Sequence, residues 1–320
     1  MYYEEIKADI PELINNVNII NDEIYYLIQL YYMNEEKIKT IDKYEIKFDK
    51  YAAITEVRNI LHSINPFYEQ KFNYYLKNKK IIFGKFNKSC TTNSKMYIKQ
   101  RNNIEDVFVI IHEFFHFVHL EKYNYNMEDP NWYTLTEMIA INFELYTLIN
   151  LYNNHMYKED IRRYILKLIY NIYIRADDIA VEAMSLNIYD KYKKFDTESF
   201  YKYKKVKQVP DDFIYLINQL VKKGEPFIYH ENATYIYAFP LSIVMATRMN
   251  LDIEYFNKVM VLFENINKYS VKEILDILEL SYIMSSDDSY ENLYQIMTQI
   301  DRLIDDIYEY KDVKRIGVKR

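Results

Sequence analysis

The chain is 320 residues long, half of them apolar, with a single cysteine and a formal net charge of −6. That length buries a large core, as one extended domain or two apposed lobes, and excludes a small disulfide scaffold. The negative balance disfavours nucleic acid as a partner, because phosphate binding relies on clustered Lys and Arg, and the one basic cluster, KDVKRIGVKR from Lys311, reads as a solvated tail.

The first residues, MYYEEIKADIPEL, have neither a basic start nor an apolar signal core, so a reducing cytoplasm is the expected location. Three glycines and six prolines leave few breakers, while long segments carry apolar residues three and four apart, so a mostly α fold is expected. Periodicity predicts helices over roughly 10–32, 47–63, 65–78, 104–122, 133–152, 158–187, 211–223, 233–249, 252–266, 271–283 and 288–310. Ahead of the fourth, KKIIFGKFNKSCTTNSKMYIKQ (residues 79–100) holds two short β-prone runs, at 81–83 and 96–98, around a polar loop. They read as a hairpin. A polar break at 191–212, KYKKFDTESFYKYKKVKQVPDD, reads as a lobe boundary or loop. The uncharged stretch AFPLSIVMAT, from Ala238, has half the ~20 residues needed to cross a bilayer, so no membrane partner is expected.

The fourth predicted helix carries VIIHEFFHFVHL, residues 109–120, with three of the chain's six histidines within eight residues. At about 100° per residue His112 and His116 share one helical face, one turn apart, where both imidazoles reach a single ion. Glu113 follows the first histidine, and zinc hydrolysis needs a carboxylate there to take the proton of the attacking water. The chain's own His and Glu frequencies give on the order of 0.01 chance occurrences of this spacing, which disfavours coincidence on a core helix. Asn103 is the expected N-cap, with Glu105 and Asp106 in the first turn.

A catalytic zinc takes three protein ligands, so one more is needed. His119 lies on the same face a further turn along, and position 122, where a longer histidine motif would continue, is Lys. The next helix offers Glu137 and Glu144 within TLTEMIAINFELYTL, from Thr134, seven residues apart and on one face. Carboxylates in so apolar a segment want a cation. One would bind zinc, and the other would hydrogen-bond a ligating imidazole.

In this order the motifs resemble the zinc peptidases of the thimet oligopeptidase and oligoendopeptidase F type. HEFFHFVH matches that family's HExxHxxH at His112, Glu113, His116 and His119, and the glutamate pair of its next helix matches Glu137 and Glu144. The resemblance implies a zincin-like, mostly helical metallopeptidase with a small β-hairpin or sheet before the zinc helix. It implies one Zn2+ held by His112, His116 and Glu137, with His119 and Glu144 behind the ligands. Residues 44–86 are similar to the helices and hairpin that precede zinc. Downstream, IYHENATYIYAFPLSIVMA, from Ile228, resembles the segment whose histidine and tyrosines face the substrate carbonyl, which gives that role to His230, Tyr235 and Tyr237. The resulting organisation is a short helical segment at 1–45, a metallopeptidase domain at 46–310 with two lobes dividing near 191–212, and the basic tail at 311–320. Two features depart from the family. Phe115 stands where its members commonly have Gly, so packing beside the site must differ, and the chain is shorter, so the lobe that closes over substrate is expected to be reduced.

The expected activity is zinc-dependent hydrolysis of internal peptide bonds, with Glu113 as general base and His230 with Tyr235 or Tyr237 donating to the oxyanion. An exposed edge of the hairpin would take an extended peptide as an added strand. Two alternatives stay open: a peptide-binding protein that keeps the fold and zinc without turnover, and a zinc amide hydrolase with a non-peptide substrate. Binding alone has no use for Glu113. A peptide substrate is the expected partner, and oligomeric state is not written in these motifs.

Overall fold

The computed structural model describes residues 35–36, 44–123, 130–192, 198 and 230–280. The expected helices at 10–32, 211–223 and 288–310, the basic tail, and nearly all of the break at 191–212 lie outside the described residues. Among the described residues the fold is mostly helical with one small sheet. None of these helices is long and apolar enough to cross a membrane.

Helix α1 (Lys50–Ile64) begins where the Asp49 carboxylate accepts the Ala52 N–H at 2.8 Å. Asn65 ends it and starts α2 (Pro66–Lys77): its N–H donates to the Leu61 carbonyl, its side chain accepts from Phe67 N, and Pro66, which has no N–H to satisfy, takes the first helical position. Before α1, the backbone N–H groups of Glu45 and Ile46 donate to the buried Asp160 carboxylate at 2.8 and 2.9 Å. Asp160 lies in the first turn of α5 (Lys158–Tyr192), so this bond pair ties the entering chain to a distant helix.

The sheet corrects the expected hairpin. Strand β1 (Ile81–Gly84) runs parallel to β3 (Met96–Lys99), from Ile81 opposite Met96 to Gly84 opposite Lys99. A third strand, β2 (Cys90–Thr91), arises inside the polar loop and pairs antiparallel with β3, Thr91 opposite Met96, giving the order β1-β3-β2. The tight reversal falls between β2 and β3. There Thr92 N–H donates to the Lys95 carbonyl at 2.9 Å, while the Thr92 hydroxyl oxygen accepts from Lys95 N. Residues 85–89 then form the crossover that lets the two longer strands run the same way.

Helices α3 (Glu105–Lys122) and α4 (Pro130–Asn153) form the centre. Both are apolar around most of their circumference, as helices packed on every side are. Asn103 Oδ1 accepts from Glu105 N at 2.9 Å at the start of α3, and Glu105 is itself buried against Lys167 of α5, at 2.6 and 2.7 Å. Phe115 of α3 stacks flat on Phe143 of α4, with ring centroids 3.6 Å apart and planes within 5°, among Tyr68, Phe114 and Phe263. The bulky Phe115 ring is thus met by an aromatic partner on the facing helix. Helix α6 (His230–Leu251) forms its most extensive contact with α4, where the buried Ser242 hydroxyl lies between the Ala238 carbonyl of its own helix, at 2.5 Å, and the Met138 carbonyl of α4, at 2.7 Å. Helix α7 (Ile253–Asn265), a 3-10 turn (Ile266–Lys268) and α8 (Val271–Ile277) complete the described chain.

Candidate metal centre

Helices α3 and α4 lie antiparallel, so residues earlier on one face residues later on the other: His112 meets Glu144, and His116 meets Glu137. His112, His116 and Glu137 are the one group of three potential ligands among the described residues whose donor atoms all lie within 4.8 Å of one another. The two Nε2 atoms are 3.0 Å apart, Glu137 Oε1 is 3.4 Å from His116 Nε2, and Glu137 Oε2 is 3.6 Å from His112 Nε2. Two atoms bound tetrahedrally to one zinc, at about 2.0–2.1 Å each, stand about 3.3 Å from one another. The triangle therefore has the size of a zinc ligand set.

Glu137 adds a second sign. It is buried, and its Oε2 has no hydrogen-bond partner, a costly state for a carboxylate unless a cation faces it. Burial pushes its pKa up, but the charge of His116 and the contact with His112 outweigh burial and hold it well below the usual carboxylate range. Burial likewise opposes charge on His112, yet the neighbouring Glu137 and Glu144 carboxylates raise its pKa well above the ordinary value.

Behind His112 stands a chain of contacts. Its Nδ1 is 2.9 Å from Glu144 Oε2, and Tyr164 of α5 donates to Glu144 Oε1 at 2.7 Å. A carboxylate only accepts, so Nδ1 carries a proton, which in the neutral imidazole leaves the Nε2 lone pair for a metal ion. Burial, and then the charge of Glu144, raise the Tyr164 pKa well above the ordinary value, which keeps it a donor. Its ring stacks on Phe108 at 4.8 Å. Nothing in the spacing of the sequence singles out Tyr164 among 36 tyrosines. Its place is set by the packing of α5.

Glu113 is buried at the side of the site, and its Oε2 accepts from the Thr91 hydroxyl of β2 at 2.6 Å. Thr91 is the second residue missed by sequence reasoning, because a two-residue strand leaves no alternating pattern to read. Tyr235 of α6 reaches the site at Glu137. Burial, and then the charge of Glu137, raise its pKa well above the ordinary phenol value, and the Arg175 guanidinium lies 3.9 Å over its ring. His230 and Tyr237 have their backbones on α6, and their side chains lie outside those described. His119 is buried beside the site, stacked on Phe263 at 5.4 Å and edge-on to Tyr123 at 5.2 Å. Burial, followed by the charges of His116 and Lys122, lowers its pKa to about 3, so it is neutral.

No protein-family model matches the sequence, and no curated protein matches it either. Solved structures do match in three dimensions. A candidate oligoendopeptidase F from Bacillus anthracis str. Ames superposes with a TM-score of 0.57 at 15% identity, over 92% of this chain and 57% of the other. PZ peptidase A, in a structure with an inhibitor, superposes with a TM-score of 0.54 at 14% identity, over 90% of this chain and 59% of the other. The chain spans less than two thirds of the length of either. At these identities the likeness is one of fold, a mostly helical fold that this chain shares with those two proteins.

Proposed function

We propose that the protein is a zinc-dependent peptidase that cleaves internal bonds of peptides in the cytoplasm. The observation that carries this reading is the triangle of His112, His116 and Glu137 donor atoms beside the buried Glu113, on a fold shared with peptidases. Zinc bound there supplies Lewis acidity, which makes water a nucleophile near neutral pH and polarises a carbonyl. The remaining steps belong to side chains. Glu113 accepts the proton of the attacking water on a carboxylate oxygen and delivers it to the leaving amine nitrogen. Tyr235, kept protonated by its raised pKa, donates a hydrogen bond to the oxygen of the tetrahedral intermediate, an effect of about 3 kcal/mol for one well-placed donor. His230 and Tyr237 are assigned to the same end of the site by the resemblance of their segment.

Peptide binding has a natural platform in β2. In the order β1-β3-β2 it is an edge strand, and it is the strand that contacts Glu113. An extended backbone added along that edge would be held mainly by main-chain hydrogen bonds, which tolerate many sequences. The test couples metal analysis of the purified protein to mass spectrometry of a mixed peptide library. One bound zinc and internal cleavage are expected, both lost in His112→Ala. Glu113→Gln should keep zinc and lose cleavage, since the amide retains the shape without accepting a proton. Zinc with no cleavage by the wild type would instead favour a peptide-binding role.

A further inference from the structure

We infer that Thr91 is a positioning residue for Glu113, fixing one carboxylate oxygen so that the other is the one presented to the attacking water. The inference rests on the peptidase reading for its catalytic consequence. Its geometric basis is independent of that reading.

The hydroxyl-to-Oε2 distance of 2.6 Å is that of a charge-assisted O–H···O bond, whereas the same hydroxyl is 3.1 Å from the Glu113 carbonyl oxygen. A threonine has one proton to give, and the shorter contact to the charged acceptor takes it. The last torsion of a glutamate is broad and roughly two-fold, so an untied carboxylate samples many orientations even when its stem is packed. One strong bond to Oε2 removes that freedom and leaves Oε1 to accept.

The donor is itself held by backbone. Thr91 pairs with Met96, which is fully buried, and Cys90 pairs with Tyr97, while the turn at 92–95 closes the ladder with its own hydrogen bonds. Strand β3 and α3 also pack on each other, so donor and acceptor are mounted on one rigid unit. The strand thus has two uses under this reading, a peptide docking along its free edge and a hydroxyl aiming the base from its side chain.

The experiment compares Thr91→Val, which keeps the shape and removes the donor, with Thr91→Ser, which keeps the donor. Thr91→Val should lower kcat on a cleaved library peptide by roughly 10- to 100-fold with KM and zinc affinity unchanged, and Thr91→Ser should restore kcat. Wild-type kcat in Thr91→Val, equal impairment in Thr91→Ser, or a change confined to KM would each overturn the inference. Crystal structures of the metal-free wild type and Thr91→Val supply a readout that needs no activity. The Glu113 carboxylate should be single and bonded to Thr91 in the first, and rotated or split between orientations in the second. An unmoved carboxylate would also overturn it. A wild type that cleaves nothing would sink the peptidase reading and still leave this structural comparison to decide the role of Thr91.

Discussion

Glu137 and Glu144 are the same side chain on the same helix, and their neighbours separate them. Glu137 faces two imidazole nitrogens and has a buried oxygen with no hydrogen-bond partner, while Glu144 has one oxygen on His112 and the other on Tyr164. Glu137→Ala should therefore abolish tight zinc binding in calorimetric titration, whereas Glu144→Ala should weaken it by roughly 10- to 100-fold. The reverse order would exchange their roles. Tyr164→Phe leaves Glu144 Oε1 buried without its donor and should cost about 1–3 kcal/mol of folding stability, measured by urea unfolding. The pairing of His112 with His116 was legible because an interval of four residues is a property of one helix. Thr91 and Tyr164 were not. Each meets its partner across 20 or more positions of chain, through the register of a strand or the packing of a third helix.

Secondary structure was legible where periodicity ran long. The helix expected at 104–122 is Glu105–Lys122, and that expected at 133–152 is Pro130–Asn153, each within a few residues. The sheet was misread because short alternating runs encode which face is buried but not which way a strand points, and the hairpin that exists uses the two-residue β2. Between α3 and α4 the flat stack of Phe115 on Phe143 fills the interface next to the ligands. Phe115→Ala should destabilise the metal-free protein by about 3–5 kcal/mol, and adding Phe143→Ala should cost less than the sum of the two single changes, since both lose the same contact. Strict additivity in urea unfolding would mean that the two rings do not support each other.

Acid bears on the folded chain through two groups near the C-terminal end of α3. His119 has a pKa of about 3 when folded against an ordinary 6.5, so below about pH 6.5 the unfolded chain binds the extra proton and stability falls as pH drops toward 3. Glu121 acts lower. Burial raises its pKa, but hydrogen bonds from Lys80, Tyr75 and Lys71 outweigh this and bring it to about 2, so its contribution is present above pH 4.5 and lost between there and 2. His119→Phe, whose ring can keep the stack on Phe263, should flatten the decline between about pH 6.5 and 3 relative to the wild type, and Glu121→Gln should flatten only the part below 4.5. Unfolding in urea across pH 3 to 7, with chelator in every sample, checks both. Parallel curves for His119→Phe and the wild type would show that His119 is not held neutral.

The antiparallel register of α3 and α4 also governs which insertions and deletions this protein tolerates. One residue added between Glu137 and Glu144 would turn everything after it by about 100° and advance it about 1.5 Å. Glu137 would stay beside His116 while Glu144 swung away from both His112 and Tyr164, and the buried Leu145, Leu148 and Leu151 would all lose their present packing together. No point substitution does this much at once. Among functional variants of this chain, the interval from 137 to 144, like that from 112 to 116, should keep its length even where its side chains change.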